Sequence, residues 1–358
     1  MGVKESKYLQ VKQSVRGQIE NGILKPDDKL PTEAEYAALY NVSGITIRRA
    51  LTELAEEGYI RRLKHKGTFV SSAGGSAGGS RLIALIFYVE NHDDSSYIRI
   101  IKGAQNMASA CGYSLIVEWS DRDVSHEADI MKKMLDMNVE GFLIYPYDPV
   151  KSVGNYRWLE EKGLPFVLLD RYDINYPCYF SGCNNYDGAA IGTKMLLEKK
   201  HRKIRFVGYE YFLKSEQERF EGFCDTMRRE GAEAAEDYLI LDADYDMLAG
   251  QIKRGEITAL FCCNDRLAVK VLRELRERGI RIPEDVSVMG FDDWKGMSDM
   301  ADLTTLRQDF DQVGANAAYL LLSVIQGKLQ GNPVKLLSDV SLVMRGSVRD
   351  ACGEALSG

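Results

Sequence analysis

Histidine is scarce in this sequence: the four are His65, His92, His126 and His201, and none lies near another along the chain. Imidazole-built metal centres and His-assisted nucleophilic triads have little to draw on. The seven cysteines (Cys111, Cys178, Cys183, Cys224, Cys262, Cys263, Cys352) are scattered and include no CxxC. That sets aside a zinc ribbon and a disulfide framework, and it suits a reducing compartment. GxGxxG after a strand, GxxxxGK[ST] and HExxH are all missing, so the common nucleotide and metalloprotease chemistries lack their parts. No apolar stretch approaches the ~20 residues of a membrane span. The opening MGVKESKYLQ has no apolar signal core. Gly2 with Ser6 meets the outline of a myristoylation motif, but it has no second anchor. The expectation is a cytoplasmic protein with no membrane partner, no metal and no cofactor.

What is present divides by charge. At 358 residues the chain is long for one core, so two or more domains are expected. Hydrophobic content of 45% and charged content of 28% are those of a globular protein. The net charge of −7 argues against nucleic acid, yet residues 1–72 hold 12 Lys and Arg against 9 Asp and Glu, a net +3, leaving 34 against 44 on the rest. A small basic head precedes an acidic body. Between them runs SSAGGSAGGS, residues 71–80, a flexible tether spanning about 5–6 Å × √n. Such a string transmits little torque. Domain limits of 1–71, linker 72–80, body 81–348 and tail 349–358 follow.

In the head, Tyr8, Val11, Val15 and Ile19 recur at helical spacing until Gly22. Thr32 with Glu35 forms a capping box that opens a second helix. A third runs from Ser43 to Gly58, with Ile47, Ala50, Leu51, Leu54 and Ala55 in one apolar stripe. Thr46, Arg48 and Arg49 lie in its first turns, and Glu53, Glu56 and Glu57 in its last. This is the reverse of what a helix macrodipole favours, and it makes sense if the basic end meets DNA. Then YIRRLKHKGTFV reads as two strands about a Lys66-Gly67 turn, carrying Arg61, Arg62, Lys64, His65 and Lys66. A helix-turn-helix with a basic wing is the expected form.

These residues resemble the winged-helix domain of the GntR family of bacterial transcription factors, through KYLQVKQSVRGQIENGILKPDDKLPTEAE, VSGITIRRALTELAEEGYI and KGTFV. The resemblance implies dimeric binding to a near-palindromic duplex. Base contacts would come from the start of the second helix (Thr32, Glu33), the start of the third (Ser43, Gly44, Thr46, Arg48, Arg49) and the wing tip (Lys64, His65, Lys66). Gly44 and Ala34 stand where many members carry Arg, so Arg48, Arg49 and Lys64 would carry more of the readout.

The body alternates apolar runs with helical stretches: LIALIFYV (82–89), GFLIY (141–145), PFVLL (165–169), IRFVG (204–208), TALFCC (258–263) and VSVMGF (286–291). Near-continuous apolar strands between amphipathic helices predict parallel sheets covered on both faces, here as two doubly wound α/β subdomains. Ligands sit beyond the carboxyl ends of such strands. There stand Asp170-Arg171, Asn264-Asp265, and Asp292-Asp293 followed by Trp294. Forked polar groups with an aromatic ring suit a sugar, whose hydroxyls both donate and accept. Taken singly, Asp292-Asp293 also fits a loop cap, Asp170-Arg171 a surface pair and Cys262-Cys263 plain core.

This part is similar to the effector domains of the LacI family and to type I periplasmic sugar-binding proteins, over about residues 81–346. The likeness is carried by VLLDRYD, SEQERFEGF, ITALFCCNDRLAVKVLRELRERGIRIPEDVSVMGFDD and LTTLRQDFDQVGANAAYLLLSVI. It implies a pocket of Asp94, Ser96, Tyr97, Asp170, Arg171, Arg219 of the SxxxR motif, Asn264, Asp292 and Gln308, most like pentose binders. It also implies chain crossovers near 175–185, 291–305 and 328–334. Asn184-Asn185 replaces the Asp-Asn of many relatives, and the LacI-type headpiece and hinge helix are absent. A GntR-type head on a LacI-type body is the arrangement of arabinose repressors of Gram-positive bacteria. The expected function is a homodimeric repressor bound to double-stranded operator DNA and released by a sugar, first L-arabinose or another pentose. The alternatives are a constitutive DNA-binding regulator answering a different small ligand, and a sugar-processing enzyme using the paired acids Asp292 and Asp293.

Overall fold

The computed structural model describes residues 7–63, 67–71, 81–88, 95–210, 213–231 and 238–351. The chain divides into two compact units, Met1–Ser80 and Arg81–Gly358. The expected linker 72–80, the wing-turn residues Lys64, His65 and Lys66, the pocket residue Asp94 and the end of the tail (352–358) lie outside the described residues.

In the first unit, α1 (Lys7–Glu20) buries Val11, Val15 and Ile19. Gly22, at φ +70°, lets the chain turn after it. The expected capping box opens α2 (Glu33–Tyr40): Glu35 N–H donates to Thr32 Oγ1 at 3.3 Å, and Thr32 N–H donates to Glu35 Oε2 at 2.7 Å. Ser43 caps α3 (Gly44–Glu56) by accepting from Thr46 N–H at 3.3 Å. The predicted stripe faces inward, with Ile47, Ala50, Leu51 and Leu54 buried and Ala55 half-buried. Each large side chain there contributes ~1.5–3 kcal/mol. Strands β1 (Ile60–Leu63) and β2 (Gly67–Val70) pair antiparallel from Ile60↔Val70 to Leu63↔Gly67, and Lys29 bridges to Phe69 on the outer side. The unit is a winged helix.

The second unit holds two parallel sheets. The first lobe runs β3 (Arg81–Phe87), α4 (Ser95–Ala110), β4 (Tyr113–Trp119), α5 (Val124–Asp136), β5 (Val139–Tyr145), α6 (Val153–Glu161), β6 (Phe166–Leu169) and β7 (Tyr179–Cys183). The second runs α7 (Asn185–Glu198), β8 (Ile204–Gly208), α8 (Lys214–Arg229), β9 (Leu239–Leu241), α9 (Tyr245–Lys253), β10 (Ala259–Cys262), α10 (Asp265–Glu277), β11 (Ser287–Met289), α11 (Met297–Met300) and β12 (Thr305–Gln308). Then α12 (Phe310–Ile325) and β13 (Lys335–Ser338) return to the first lobe, and β14 (Val340–Val343) to the second. Strand orders are β13-β7-β6-β5-β3-β4 and β11-β10-β8-β9, with β12 and β14 as a separate antiparallel pair.

The apolar run of β3 serves both faces, as its lack of alternation predicts. Ile83, Leu85 and Phe87 join the core that includes α4 and α12, while Ala84 and Ile86 join Ile130, Met134, Tyr156 and Leu159 of α5 and α6. Helices α4 and α12 touch through paired glycines. A Cβ on Gly103 would lie 1.9 Å from Asp311 O, and one on Gly314 2.0 Å from Ile100 O. Cys262 and Cys263 are fully buried core residues.

Strand pairing places the chain passages between lobes at residues 183–185, 308–310 and 338–340. The crossovers expected at 291–305 and 328–334 therefore lie too early. Residues 291–305 stay in the second lobe because Thr305–Gln308 forms a strand against β14. Residues 328–334 stay in the first because Lys335–Ser338 pairs with β7. Among the described residues no helix is long and apolar enough to cross a membrane.

Candidate functional site

Strand ends of the second unit converge on one cleft of about 1160 Å³, a little above the range for small-ligand sites, ~300–1,000 Å³. The described pocket expectations all line it: Ser96, Tyr97, Asp170, Arg171, Arg219, Asn264, Asp292 and Gln308. Ser96 and Tyr97 lie in the first turn of α4, Asp170 and Arg171 follow β6, Asn264 caps α10, Asp292 follows β11 and Gln308 ends β12. Arg219 projects from α8.

Arg219 is the buried anchor. Its Nε donates to Asn185 Oδ1 at 2.9 Å, its Nη1 donates to Cys263 O at 2.6 Å, and Asp292 Oδ1 lies 3.3 Å from Nη1. Its guanidinium lies 3.9 Å from the centre of the Phe291 ring. Asp292 is held from the other side by Gln308, whose Nε2 donates to Oδ1 at 2.5 Å. The backbone is strained here, with φ of 61° at Asp170, 123° at Asp292 and 52° at Asp293. Residues held in such regions cost about 1–3 kcal/mol each and gather at ligand sites.

On the opposite wall, Tyr145 donates its hydroxyl to Asp170 Oδ2 at 2.8 Å. Burial, with Asp170 beside it, pushes the Tyr145 phenol up, so it stays a donor. Tyr97 meets Phe87 and Tyr145 edge to face at 5.5 and 5.7 Å. Arg171 reaches the Tyr147 carbonyl at 3.3 Å, and its guanidinium carbon lies 5.3 Å from the ring centres of both Tyr88 and Tyr145. Two polar atoms of this lining are buried with no hydrogen-bond partner among the described residues: the acceptor Gln308 Oε1 and the donor Arg171 Nε. Buried polar atoms are almost always paired.

The two acids after β11 part company. Asp293 is taken by Arg307 at 2.6 Å and Arg345 at 2.7 Å. Burial raises the Asp293 carboxyl, but these two arginines outweigh it and hold it below the usual range. With Asp292 bound to Gln308 and Arg219, the pair does not form an acid and a base facing one substrate. Asp265 lies beneath, accepting from Trp294 N–H at 2.9 Å and from the Ser298 and Thr305 hydroxyls at 2.5 Å each, which fixes the Trp294 loop. Burial pushes its carboxyl up to about 6. Among the described residues no cluster of His, Cys, Asp or Glu could hold a metal ion.

Sequence reasoning missed Tyr145 and Glu216. Tyr145 ends the run GFLIY, so its strand-end position was readable. Glu216 stands one helical turn before Arg219, and burial raises its carboxyl against the opposing Leu213 N–H and Arg219. Asn185, noted only as a departure from relatives, proves to be the oxygen that orients Arg219.

In the first unit, Thr32 and Glu33 open α2 and Ser43, Gly44, Thr46, Arg48 and Arg49 open α3. Arg48 donates its Nε to Glu33 Oε2 at 3.0 Å, and Arg62 lies 3.7 Å from the same carboxylate, so Glu33 ties α2, α3 and β1 together. Arg49 lies 3.8 Å from the centre of the Tyr8 ring and donates to Glu53 at 3.3 Å. The side chains of Arg48 and Arg49 are nonetheless 67% and 61% exposed.

Comparison with known proteins gives two domain matches: the gntR family of bacterial regulatory proteins over residues 7–70, and a periplasmic binding protein-like domain over residues 193–348. The chain is 27% identical, over 96% of its length and 98% of the relative's, to an arabinose metabolism transcriptional repressor of Geobacillus stearothermophilus. It is 28% identical to the protein so named in Halalkalibacterium halodurans, over 98% of each. A LacI family transcriptional regulator from Enterococcus faecium, solved with bound ribose, shares the fold with a TM-score of 0.62 at 22% identity, over 76% of this chain and all of that one.

Proposed function

The chain joins a gntR-family winged helix to a periplasmic-binding-protein-like domain, and from that premise we propose that it is a sugar-responsive transcriptional repressor. It acts in the cytoplasm as a homodimer on a near-palindromic operator, and its effector is L-arabinose or another pentose. One observation carries the sugar reading. An acceptor, Gln308 Oε1, and a donor, Arg171 Nε, which lies 4.0 Å from Asp170 Oδ2, have no hydrogen bond among the described residues, in one cleft beside the Arg219–Asp292 pair and the Tyr97 and Trp294 rings. Hydroxyls, which donate and accept at once, satisfy both atoms, and an aromatic face covers the C–H surface of a sugar ring. The names of the two repressors similar over nearly the whole chain support the arabinose assignment.

Ser96, Tyr97, Asp170 and Arg171 belong to the first lobe and Arg219, Asn264 and Asp292 to the second, so a sugar held by both draws the lobes together about the three chain passages. In a dimer this changes the spacing at which the heads are offered to two half-sites. Coupling of ~1–3 kcal/mol corresponds to a 5–150-fold fall in operator affinity.

The test is operator binding by fluorescence anisotropy at fixed salt, with and without a panel of pentoses and hexoses, alongside thermal unfolding. At 100 times its Kd the true effector adds ~2.7 kcal/mol of stability and weakens operator binding. A chain that binds DNA but answers no sugar in either assay refutes the effector assignment.

A further inference from the structure

Ile45 is 79% exposed in the first turn of α3, whereas Ile47, Leu51 and Leu54 of the same helix are at most 1% exposed. Positions three and four apart share a helix face, so Ile45 stands on the open face with Arg48 and Arg49, one turn nearer the helix start. On one side of it, Gly44 has no side chain, and a Cβ built there meets nothing within 4 Å. On the other, the Thr46 and Ser43 hydroxyls are bonded to each other at 2.8 Å. The turn thus offers an aliphatic knob set off from its polar neighbours.

The fold gains nothing from that knob. A β-branched residue is a weaker helix former than Ala, and this one leaves its apolar surface in water. A major groove offers one apolar feature among its base edges, the 5-methyl group of thymine. Three residues of helix rise ~4.5 Å, a little more than the ~3.4 Å between base pairs, which puts Ile45 over a base pair adjacent to the one Arg48 meets. We propose that Ile45 is a specificity-determining residue that reads a thymine methyl group beside the base pair contacted by Arg48. This rests on the DNA-binding reading of the head.

The test uses the full-length chain and duplexes selected by it from a random library. Affinities of the wild type and Ile45→Ala are measured on the selected duplex and on copies in which single thymines become deoxyuridine, which removes only the methyl group. With the wild type, one deoxyuridine in each half-site should weaken binding about fifteen-fold, about four-fold for each of the two methyl groups lost. Ile45→Ala should bind the thymine duplex about as weakly and no longer distinguish the two at that position. A wild type indifferent to every deoxyuridine overturns the proposal, as does an Ile45→Ala variant that keeps the full penalty. A wild type that enriches no duplex overturns the DNA-binding reading as well.

Discussion

Arg219→Ala removes the buried guanidinium on which the cleft floor is built. Two buried oxygens lose their donor, Asn185 Oδ1 at 2.9 Å and Cys263 O at 2.6 Å, each costing about 1–3 kcal/mol when left unpaired. The Asp292 side chain is 28% exposed, so its lost ion pair adds only ~0–1 kcal/mol. The sum, about 2–7 kcal/mol, should lower the Tm of the second unit by roughly 10–15 °C at its midpoint, at ~2–4 °C per kcal/mol for a domain of this size. The sugar increment should vanish with it. The wild type at 100 times Kd gains ~2.7 kcal/mol, and the variant at the same concentration should gain none while still binding DNA. Arg219→Lys keeps the charge without the planar fork, so it should recover part of the stability and little of the sugar response. The assay is thermal unfolding of the full chain over a pentose titration. A normal sugar increment in Arg219→Ala would refute the anchoring role.

Arg48→Ala should weaken specific duplex binding by ~1–3 kcal/mol, measured against random competitor DNA; equal loss on both duplexes means a phosphate contact and no base readout. Gly103→Ala drives a methyl group into the Asp311 carbonyl and should cost ~1–3 kcal/mol in urea unfolding; an unchanged midpoint would mean that α4 and α12 do not meet at that crossing. Asp265, raised by burial to about 6 from an ordinary carboxyl value, holds its proton more tightly folded than unfolded. The folded state therefore binds more protons between pH about 4 and about 6, so stability is lost as pH rises through that window and is level above it. At ~1.4 kcal/mol per unit the loss is about 2–3 kcal/mol, and Glu127 and Glu216, also raised by burial, act with the same sign. Urea unfolding of wild type and Asp265→Asn at pH 4.5 and pH 7 checks this; an identical pH dependence in the two proteins contradicts it.

Much of the architecture is legible in the residues because it is set locally. The periodic stripe of α3, the Thr32–Glu35 box, the paired strands of the wing and the continuous apolar runs that became β3, β5, β6, β8, β10 and β11 depend on neighbours within a few positions. Among the strands left unread, two have uneven surroundings. YSLIVEW forms β4 at the sheet edge, where its residues are mostly half-buried, and β12 is only the four residues TLRQ. Neither shows a run or a clean alternation, and both gain their pairing from distant chain.

Sequence alone determined that a basic winged head precedes an acidic α/β body, and that hydrogen-bonding residues stand after particular strands. Tertiary structure decided which of them meet. The chain passages at 308–310 and 338–340 follow from β13 joining β7 and β14 joining β12. Asp292 and Asp293 are adjacent in sequence, yet one meets Gln308 and Arg219 while the other is neutralised by Arg307 and Arg345. The partners of Arg219 come from three separate elements, and Gln308 Oε1 and Arg171 Nε lack a hydrogen bond among the described residues because burial removes water from them. Periodicity and capping are short-range properties written residue by residue. Burial, ion-pair choice and unmet hydrogen bonds belong to space, and only the packed chain assigns them.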